Sequence, residues 1–330
     1  MSHIKITWDL KDIRNVLLDY YGISAQYIET EELSEGEDNL NIKIVSDKYS
    51  YVLRCYNYTT DKEIDFELEL INYLINKGFN TASIINSVNN GLYCIFCGIK
   101  AALFTFEEGN HMNNESLEDA LLVTQLIANL HNTAINFSSE VYRSRNDMDR
   151  IKAIYKIDKT KIVDSKYNEL LINIDNFIYS FKKSLEKNNK NLITGVIHHD
   201  ANNTNVLFNE MTKNIILLDF DESHITYLIN DIASLIHNWA MDENNMEINL
   251  DRATKIIQTY NLYRPLSNTE KKMIGDFVLL FQLADVCEYV TRSIIRHPDR
   301  LYPVENCYSY KVYKNLIKDL KWQEILSNSI

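Results

Sequence analysis

Apolar and polar residues alternate from Leu40 to Val45, break at Ser46-Asp47-Lys48 and resume from Tyr49 to Tyr56. A period of two sends successive side chains to opposite faces, so this pattern predicts two half-buried strands joined as a hairpin. The period then changes. Ile64, Leu68, Ile71 and Ile75 recur at helical spacing and stop at Gly78, which predicts an amphipathic helix over 63–77 with a glycine cap. Ala82 to Val88 and Leu92 to Phe96 read as strands around an Asn89-Asn90-Gly91 turn, and Lys100 to Phe106 as a buried strand. Ser116 with Asp119 resembles a capping box that opens a long helix through Leu122, Leu126 and Leu130, ending at His131. Gly195 to Ile197 and Val206 to Phe208 read as short strands with His198 to Thr204 as the turn between them. A third strand, Ile215 to Phe220, follows a polar turn at Asn209 to Asn214. From Asp231 onward the pattern is almost entirely helical, with breaks at Tyr263-Arg264-Pro265-Leu266-Ser267 and His297-Pro298.

The three short strands carry the chemistry. Asp200 is followed five positions on by Asn205, and Asp219 lies in the next apolar run. The strand reading brings these three to one end of a small sheet. An aspartate that accepts a hydroxyl proton, with an asparagine oxygen and a second aspartate holding Mg²⁺ against phosphates, is the set a phosphotransfer enzyme needs.

At these residues the chain resembles the aminoglycoside phosphotransferase and choline kinase superfamily, relatives of protein kinases that phosphorylate small hydroxylated molecules. The resemblance covers nearly the whole chain. It implies an α+β, bilobal protein-kinase-like fold. An N-terminal nucleotide-binding lobe and hinge over 1–107, with an antiparallel sheet and one key helix, precedes a larger, mostly helical catalytic and substrate-binding lobe over 108–330. It implies catalysis by Asp200 with His198 supporting the loop, and metal binding by Asn205 and Asp219. Asn230-Asp231-Ile232-Ala233 looks like the element whose aspartate braces the catalytic loop. In the nucleotide lobe it implies that the loop with Gly36 and Asn39 covers the phosphates and that Glu67 pairs with a strand cation. It also implies that Phe104, Thr105 and Phe106, with Glu107, form a hinge reading the base of ATP or GTP through backbone groups, and that Gly109 lets the chain turn into the second lobe. The chain departs from the pattern at Arg54, where many relatives have lysine; either Arg54 pairs with Glu67 and a phosphate, or it is a surface residue and Lys43 on the neighbouring strand does the work.

Several segments look most like the homoserine kinase branch. They are Ser34-Glu35-Gly36 with Asn39 and Asn41, Phe66 to Leu70, Gly98 to Ala102, Trp239, and Tyr263 to Ser267. The resemblance therefore implies a kinase acting on an amino-alcohol metabolite such as homoserine. An aminoglycoside phosphotransferase is the alternative, and a kinase-like spore-coat or regulatory protein without turnover is the alternative from another class.

Composition narrows the partners. A net charge of −12 argues against a broad basic nucleic-acid surface and permits an amine-bearing substrate. Asp221 and Glu222, just after Asp219, are the nearest acids to hold such an amine, and Asp242, Glu243 and Glu288 are further acids for a substrate cleft. No apolar run of ~20 residues offers a membrane span and no N-terminal signal pattern is visible, so the reading is cytoplasmic. Cys94 and Cys97 have the spacing of half a zinc site but lack a second pair, and read as core cysteines. The oligomeric state is not legible.

Overall fold

The computed structural model describes residues 6–33, 39–57, 59–140, 146–157, 166–188, 191–242, 244–296 and 303–329; Ser34, Glu35, Gly36, Glu243, His297 and Pro298 lie outside the described residues. The chain forms two compact units. The first comprises Met1–Asn110, Ser138–Tyr142 and Leu207–Asp221, and the second His111–Phe137, Arg143–Val206 and Glu222–Ile330.

The first unit opens with α1 (Leu10–Tyr21), an element outside the pattern read above although its signals are present. Asp9 accepts from the amides of Lys11 and Asp12, Asp12 accepts from the Asp9 amide, and Gly22 closes the helix at φ 65°. Then come β1 (Ile28–Leu33), β2 (Asn39–Ser46), β3 (Ser50–Tyr56), α2 (Asp61–Asn76), β4 (Cys94–Phe96) and β5 (Ile99–Thr105). The strands form one antiparallel sheet in the order β1-β2-β3-β5-β4. Ile42, Ile44, Tyr51, Leu53, Cys55 and Leu103 turn to one face and pack with Ile13, Val16 and Leu17 of α1. Burying each such aliphatic side chain contributes roughly 1.5–3 kcal/mol, which fixes the register, since a one-residue slip would reverse every side chain. The opposite face therefore receives Asn39, Asn41, Lys43, Arg54 and Tyr56, with Asn41 opposite Arg54 and Arg54 opposite Ala102.

Two details differ from the sequence pattern here. Ala82 to Val88 is not a ladder strand. Only the Ile84–Phe104 bridge and bonds such as Ile85 N to Leu103 O tie it to β5, and the turn with Asn90 at φ 60° follows, closed by Ser87 N donating to Gly91 O. Cys94 is buried, as expected of a core cysteine, but Cys97 is exposed in a turn at φ 47°.

Beyond β6 (Asn110–His111) run α3 (Leu117–Thr133), α4 (Asp147–Ile154), α5 (Lys166–Asn188), β7 (Thr194–Ile197), β8 (Val206–Asn209), β9 (Asn214–Leu217) and β10 (His224–Tyr227). The remaining elements are α6 (Ile229–Trp239), β11 (Met241–Asp242), β12 (Glu247–Ile248), α7 (Leu250–Tyr263), α8 (Asn268–Arg296), α9 (Tyr308–Leu316) and α10 (Lys321–Ser327). In the second unit α8 packs against α4, α6, α9 and α10, and α3 against α7. The break expected at 263–267 separates α7 from α8.

The sheet drawn around the phosphotransfer residues is corrected. β7 and β8 do not form a hairpin: β7 pairs with β10, Ile197 opposite His224, whereas β8 lies between β6 and β9. β9 also stops at Leu217, so Asp219 sits beyond the strand, at φ 61°. Aspartate is among the few non-glycine residues that tolerate this left-handed region. Among the described residues no helix is long and apolar enough to cross a membrane.

Candidate active site

The Asp200 loop belongs to the second unit, where α6 holds it at the backbone. Asp231 accepts from the amides of His198 (2.9 Å) and His199 (2.7 Å), the Ser234 hydroxyl donates to His199 O, and the Trp239 indole N–H donates to Ala201 O. Residues 231, 234 and 239 recur at helical spacing on one face of α6, so a single helix fixes the backbone of His198 and His199 before Asp200 and the carbonyl of Ala201 after it. His131 of α3 joins this anchor, its Nε2 2.9 Å from Asp231 and its Nδ1 bonded to the Tyr260 hydroxyl. Burial pushes the Asp231 carboxyl up, but its bonds from His131 and the His198 amide outweigh this and hold it below the ordinary carboxylate value.

The side chains of the loop are ordered by one another. The Asp200 amide donates to His198 Nδ1 at 3.3 Å, which places His198 in support of the turn. Asn202 Nδ2 donates to Asp200 Oδ1 (2.9 Å), and Asn205 Nδ2 donates to Asp200 Oδ2 (3.0 Å) and to Asp200 O (2.9 Å). Because the Asn205 amide nitrogen faces Asp200, its oxygen is directed elsewhere. His199 stands at φ 71°, and its ring bonds Asp147 at the start of α4 (3.0 Å), which also accepts from Asn230. This buried trio lies outside the sequence pattern, because its members are 52 and 83 residues apart. Burial disfavours its charges, yet each partner outweighs burial for the other: the His199 pKa is raised and that of Asp147 is lowered to about 2.

In the first unit the expected strand cation is buried. Arg54 reaches Glu67 of α2 through Nε (3.7 Å) and both Asp219 (2.9 Å) and Asp221 (3.2 Å) through Nη2. The surface alternative for Arg54 therefore fails. Lys43 instead stands over the Phe106 ring at 4.1 Å. Burial alone would lower the guanidinium pKa, but Asp219, Glu67 and Asp221 outweigh it and raise it well above its ordinary value. One guanidinium thus faces three carboxylates. Asn39 contacts Asp221 at 3.4 Å, and the Tyr56 hydroxyl donates to Glu67.

The backbone groups expected to form the hinge are partly committed. Thr105 N donates to Ser83 O and Phe106 N to Ser50 O, while the Thr105 hydroxyl bonds Glu107. An amide carries one hydrogen, so these two groups do not also donate to a base. Phe104 is buried opposite Val52.

The two acids assigned to a substrate amine are already paired. Asp221 bonds Arg54, and Glu222 bonds Arg150 of α4 and, at 3.4 Å, Arg292 of α8. An amine held by Asp221 or Glu222 would share its carboxylate with these arginines. No group of three or more His, Cys, Asp or Glu side chains able to hold a metal occurs among the described residues.

The model of the "Phosphotransferase enzyme family" matches residues 29–265, from β1 to the end of α7. The chain belongs to the phosphotransferase enzyme family. This phosphotransferase is 26% identical over 246 residues to a homoserine kinase of Methylocella silvestris, covering 73% of the chain and 74% of that protein. A homoserine kinase of Chelativorans sp. is also 26% identical, over 261 residues, with 78% and 75% covered. Among solved structures, the phosphotransferase superposes on an amicoumacin kinase in complex with AMP-PNP and Ca²⁺ with a TM-score of 0.70 at 15% identity, covering 94% of each chain. A microcompartment-associated aminopropanol kinase gives a TM-score of 0.69 at 16% identity, covering 94% of this chain and 98% of that one. These neighbours have the protein-kinase-like α+β fold, with an antiparallel N-terminal sheet and a larger helical part.

Proposed function

We propose that this phosphotransferase is a Mg²⁺-dependent kinase that moves the γ-phosphate of ATP, with GTP as the alternative donor, to a hydroxyl of a small amine-bearing metabolite. The observation that carries this reading is the Asp200 carboxylate, fixed by the side chains of Asn202 and Asn205 in a loop whose backbone is tied to α6. A carboxylate so held can accept the proton of an acceptor hydroxyl without reorganising. The homoserine kinase relatives support an amino-alcohol acceptor, with aminoglycosides as the second class.

The donor sets fit a hard cation, since Asn205 and Asp219 both offer oxygen. Bound there, Mg²⁺ would neutralise phosphate charge. Arg54, held by Glu67, would clamp the phosphates, and the loop containing Gly36 would cover them. Glu107 and the carbonyls of Phe104, Thr105 and Phe106 remain the hinge groups suited to reading the base. We assign residues 1–107 to nucleotide binding with the hinge and 108–330 to catalysis and substrate binding, in a cytoplasmic enzyme.

A transfer screen with ATP and GTP against amino alcohols, sugars and aminoglycosides tests the reading, and turnover of neutral sugars alone would refute it. Asp219→Ala should abolish the metal-dependent part of ATP protection in a thermal-shift assay; unchanged protection would remove Asp219 from metal binding. Arg54→Met should weaken ATP binding by about tenfold or more and adenosine binding much less, because only phosphates present charge to the guanidinium. Lys43→Ala, which removes an ammonium placed over Phe106, should show the smaller phosphate-specific loss. Equal losses of ATP and adenosine in Arg54→Met would mean that Arg54 only maintains the unit.

A further inference from the structure

His199 occupies a backbone position that glycine would fill without strain. It stands at φ 71°, in the left-handed region that a side chain disfavours and glycine adopts freely. Such a conformation persists only where the surroundings over-determine it, and here they do so through three attachments. Asp231 accepts from the His199 amide at 2.7 Å, the Ser234 hydroxyl donates to the His199 carbonyl at 2.8 Å, and the imidazole Nε2 bonds Asp147 at 3.0 Å. α6 therefore holds the N–H and C=O arms of the residue, and α4 holds its side chain. Hydrogen bonds tolerate a broad range of angles, so the first two alone leave the backbone some rotation, whereas a tethered ring also fixes Cβ and with it φ.

Asp147 is a firm point for that tether. Its Oδ1 meets His199 and its Oδ2 accepts from Asn230 Nδ2 at 2.9 Å, so both oxygens are engaged. It lies in the first turn of α4, where the helix end favours a carboxylate, and α4 packs along α8. The His199 and Asp147 side chains are 3% and 2% exposed, so water does not stand in for a lost bond. The rings of Phe281 and His224 confine the imidazole further, at centroid distances of 5.1 and 5.4 Å. On the other side of Asp200 the Trp239 indole holds the Ala201 carbonyl, whereas the Asp200 amide itself makes a long bond, 3.3 Å, to His198 Nδ1. The direction of Asp200 is thus set by the peptides on either side of it.

We infer that Asp147 and His199 are positioning residues for phosphotransfer: the His199 ring, tethered to α4 through Asp147, fixes the peptide from which the Asp200 carboxylate projects. This rests on the kinase reading of Asp200 and adds α4 to the elements that aim it. Neither residue is catalytic in this scheme. Their effect falls on kcat, because a base displaced by about 1 Å can cost about 10²-fold in rate while nucleotide binding is untouched.

Three variants of the full chain test the inference, assayed with ATP and the acceptor that the wild type turns over. His199→Gly keeps the left-handed backbone without strain and removes the ring, and Asp147→Leu removes the tether. Each should lower kcat by about tenfold to 10²-fold and leave the KM for ATP unchanged. Asp147→Asn should recover most of the loss seen in Asp147→Leu. Its oxygen still accepts from His199, and Asn230, whose buried Oδ1 has no partner, can turn its amide to accept from the new NH₂. Amide hydrogen exchange across residues 198–202, measured without nucleotide, should quicken by about tenfold or more in His199→Gly and Asp147→Leu. Wild-type kcat in both of these variants overturns the inference and leaves the pair a strut between α4 and the loop. An Asp147→Asn variant as impaired as Asp147→Leu also overturns it, since charge and not placement would then be what matters. Should Asp147→Leu fail to fold, His199→Gly decides alone. If the wild type phosphorylates no acceptor, the kinase reading fails and exchange decides the positioning: unchanged exchange in the variants overturns it, and faster exchange upholds it.

Discussion

Replacing Asp200 by asparagine is expected to lower kcat by about 10²- to 10⁴-fold, the range for loss of a positioned acid–base group, while the fold and nucleotide binding persist. The geometry explains why asparagine is the informative substitution. Both Asp200 oxygens accept side-chain N–H groups, Oδ1 from Asn202 and Oδ2 from Asn205. Asparagine keeps one acceptor and the shape, but it cannot take a proton from an alcohol at neutral pH, and its NH₂ must face one of those two donors. A modest rise in KM for the acceptor is therefore expected beside the large loss of kcat. Comparable turnover in the variant would remove Asp200 from the role of base. A variant that fails to bind ATP would show that the substitution had disturbed more than the proton acceptor. Nucleotide titration and steady-state kinetics on the same preparation distinguish the cases.

How far this site is legible in sequence follows from how far apart its members are. Asp200 and Asn205 are local, and their spacing is the spacing of a loop whose side chains bond one another. The hairpin β2–β3 and helix α2 were equally legible, because one buried face imposes a clear period. Resemblance names only the pairing of Arg54 with Glu67; its contact with Asp219, 165 residues away, has no signal in the sequence. Asp147, Arg150 and Arg292 had no local signal at all: a charged residue in a helix looks the same whether it faces water or another charge. The misdrawn sheet has a different cause. β7 and β8 are short apolar runs on either side of a polar turn, which is also how a hairpin looks, whereas the actual partner of β7, His-Ile-Thr-Tyr in β10, is strand-prone but only four residues long and carries no sign of which strand it joins. α5 carries a plain helical period, with Tyr167, Leu170, Ile174, Phe177 and Phe181 buried at three- and four-residue intervals.

Asp231→Ala is expected to destabilise the protein by about 3–5 kcal/mol at neutral pH, the cost of removing one partner from a buried charged network. The substitution leaves the amides of His198 and His199 and the Nε2 side of His131 without their acceptor in an interior where water does not replace it. Asp231→Asn should recover only part of the loss, because the new NH₂ meets a backbone N–H, donor against donor. The pH dependence gives a second, independent reading. The folded-state pKa of Asp231 is depressed, so its contribution is fully present above the unfolded carboxylate value of about 3.9 and is lost as pH falls through the folded value. The stability gap between wild type and Asp231→Ala should therefore be constant from neutral pH down to about pH 5 and narrow below about pH 4. Thermal or urea unfolding of both proteins across that range measures it. A gap under about 1 kcal/mol at pH 7, the scale of an ordinary surface substitution, would mean that the loop does not depend on α6. A full-sized gap that stays constant into acid would mean that the effect comes from packing and not from the ionised carboxylate. If the anchor works as the bonds indicate, kcat should fall along with stability, because the residue that fixes His198 and His199 also fixes the backbone from which Asp200 projects.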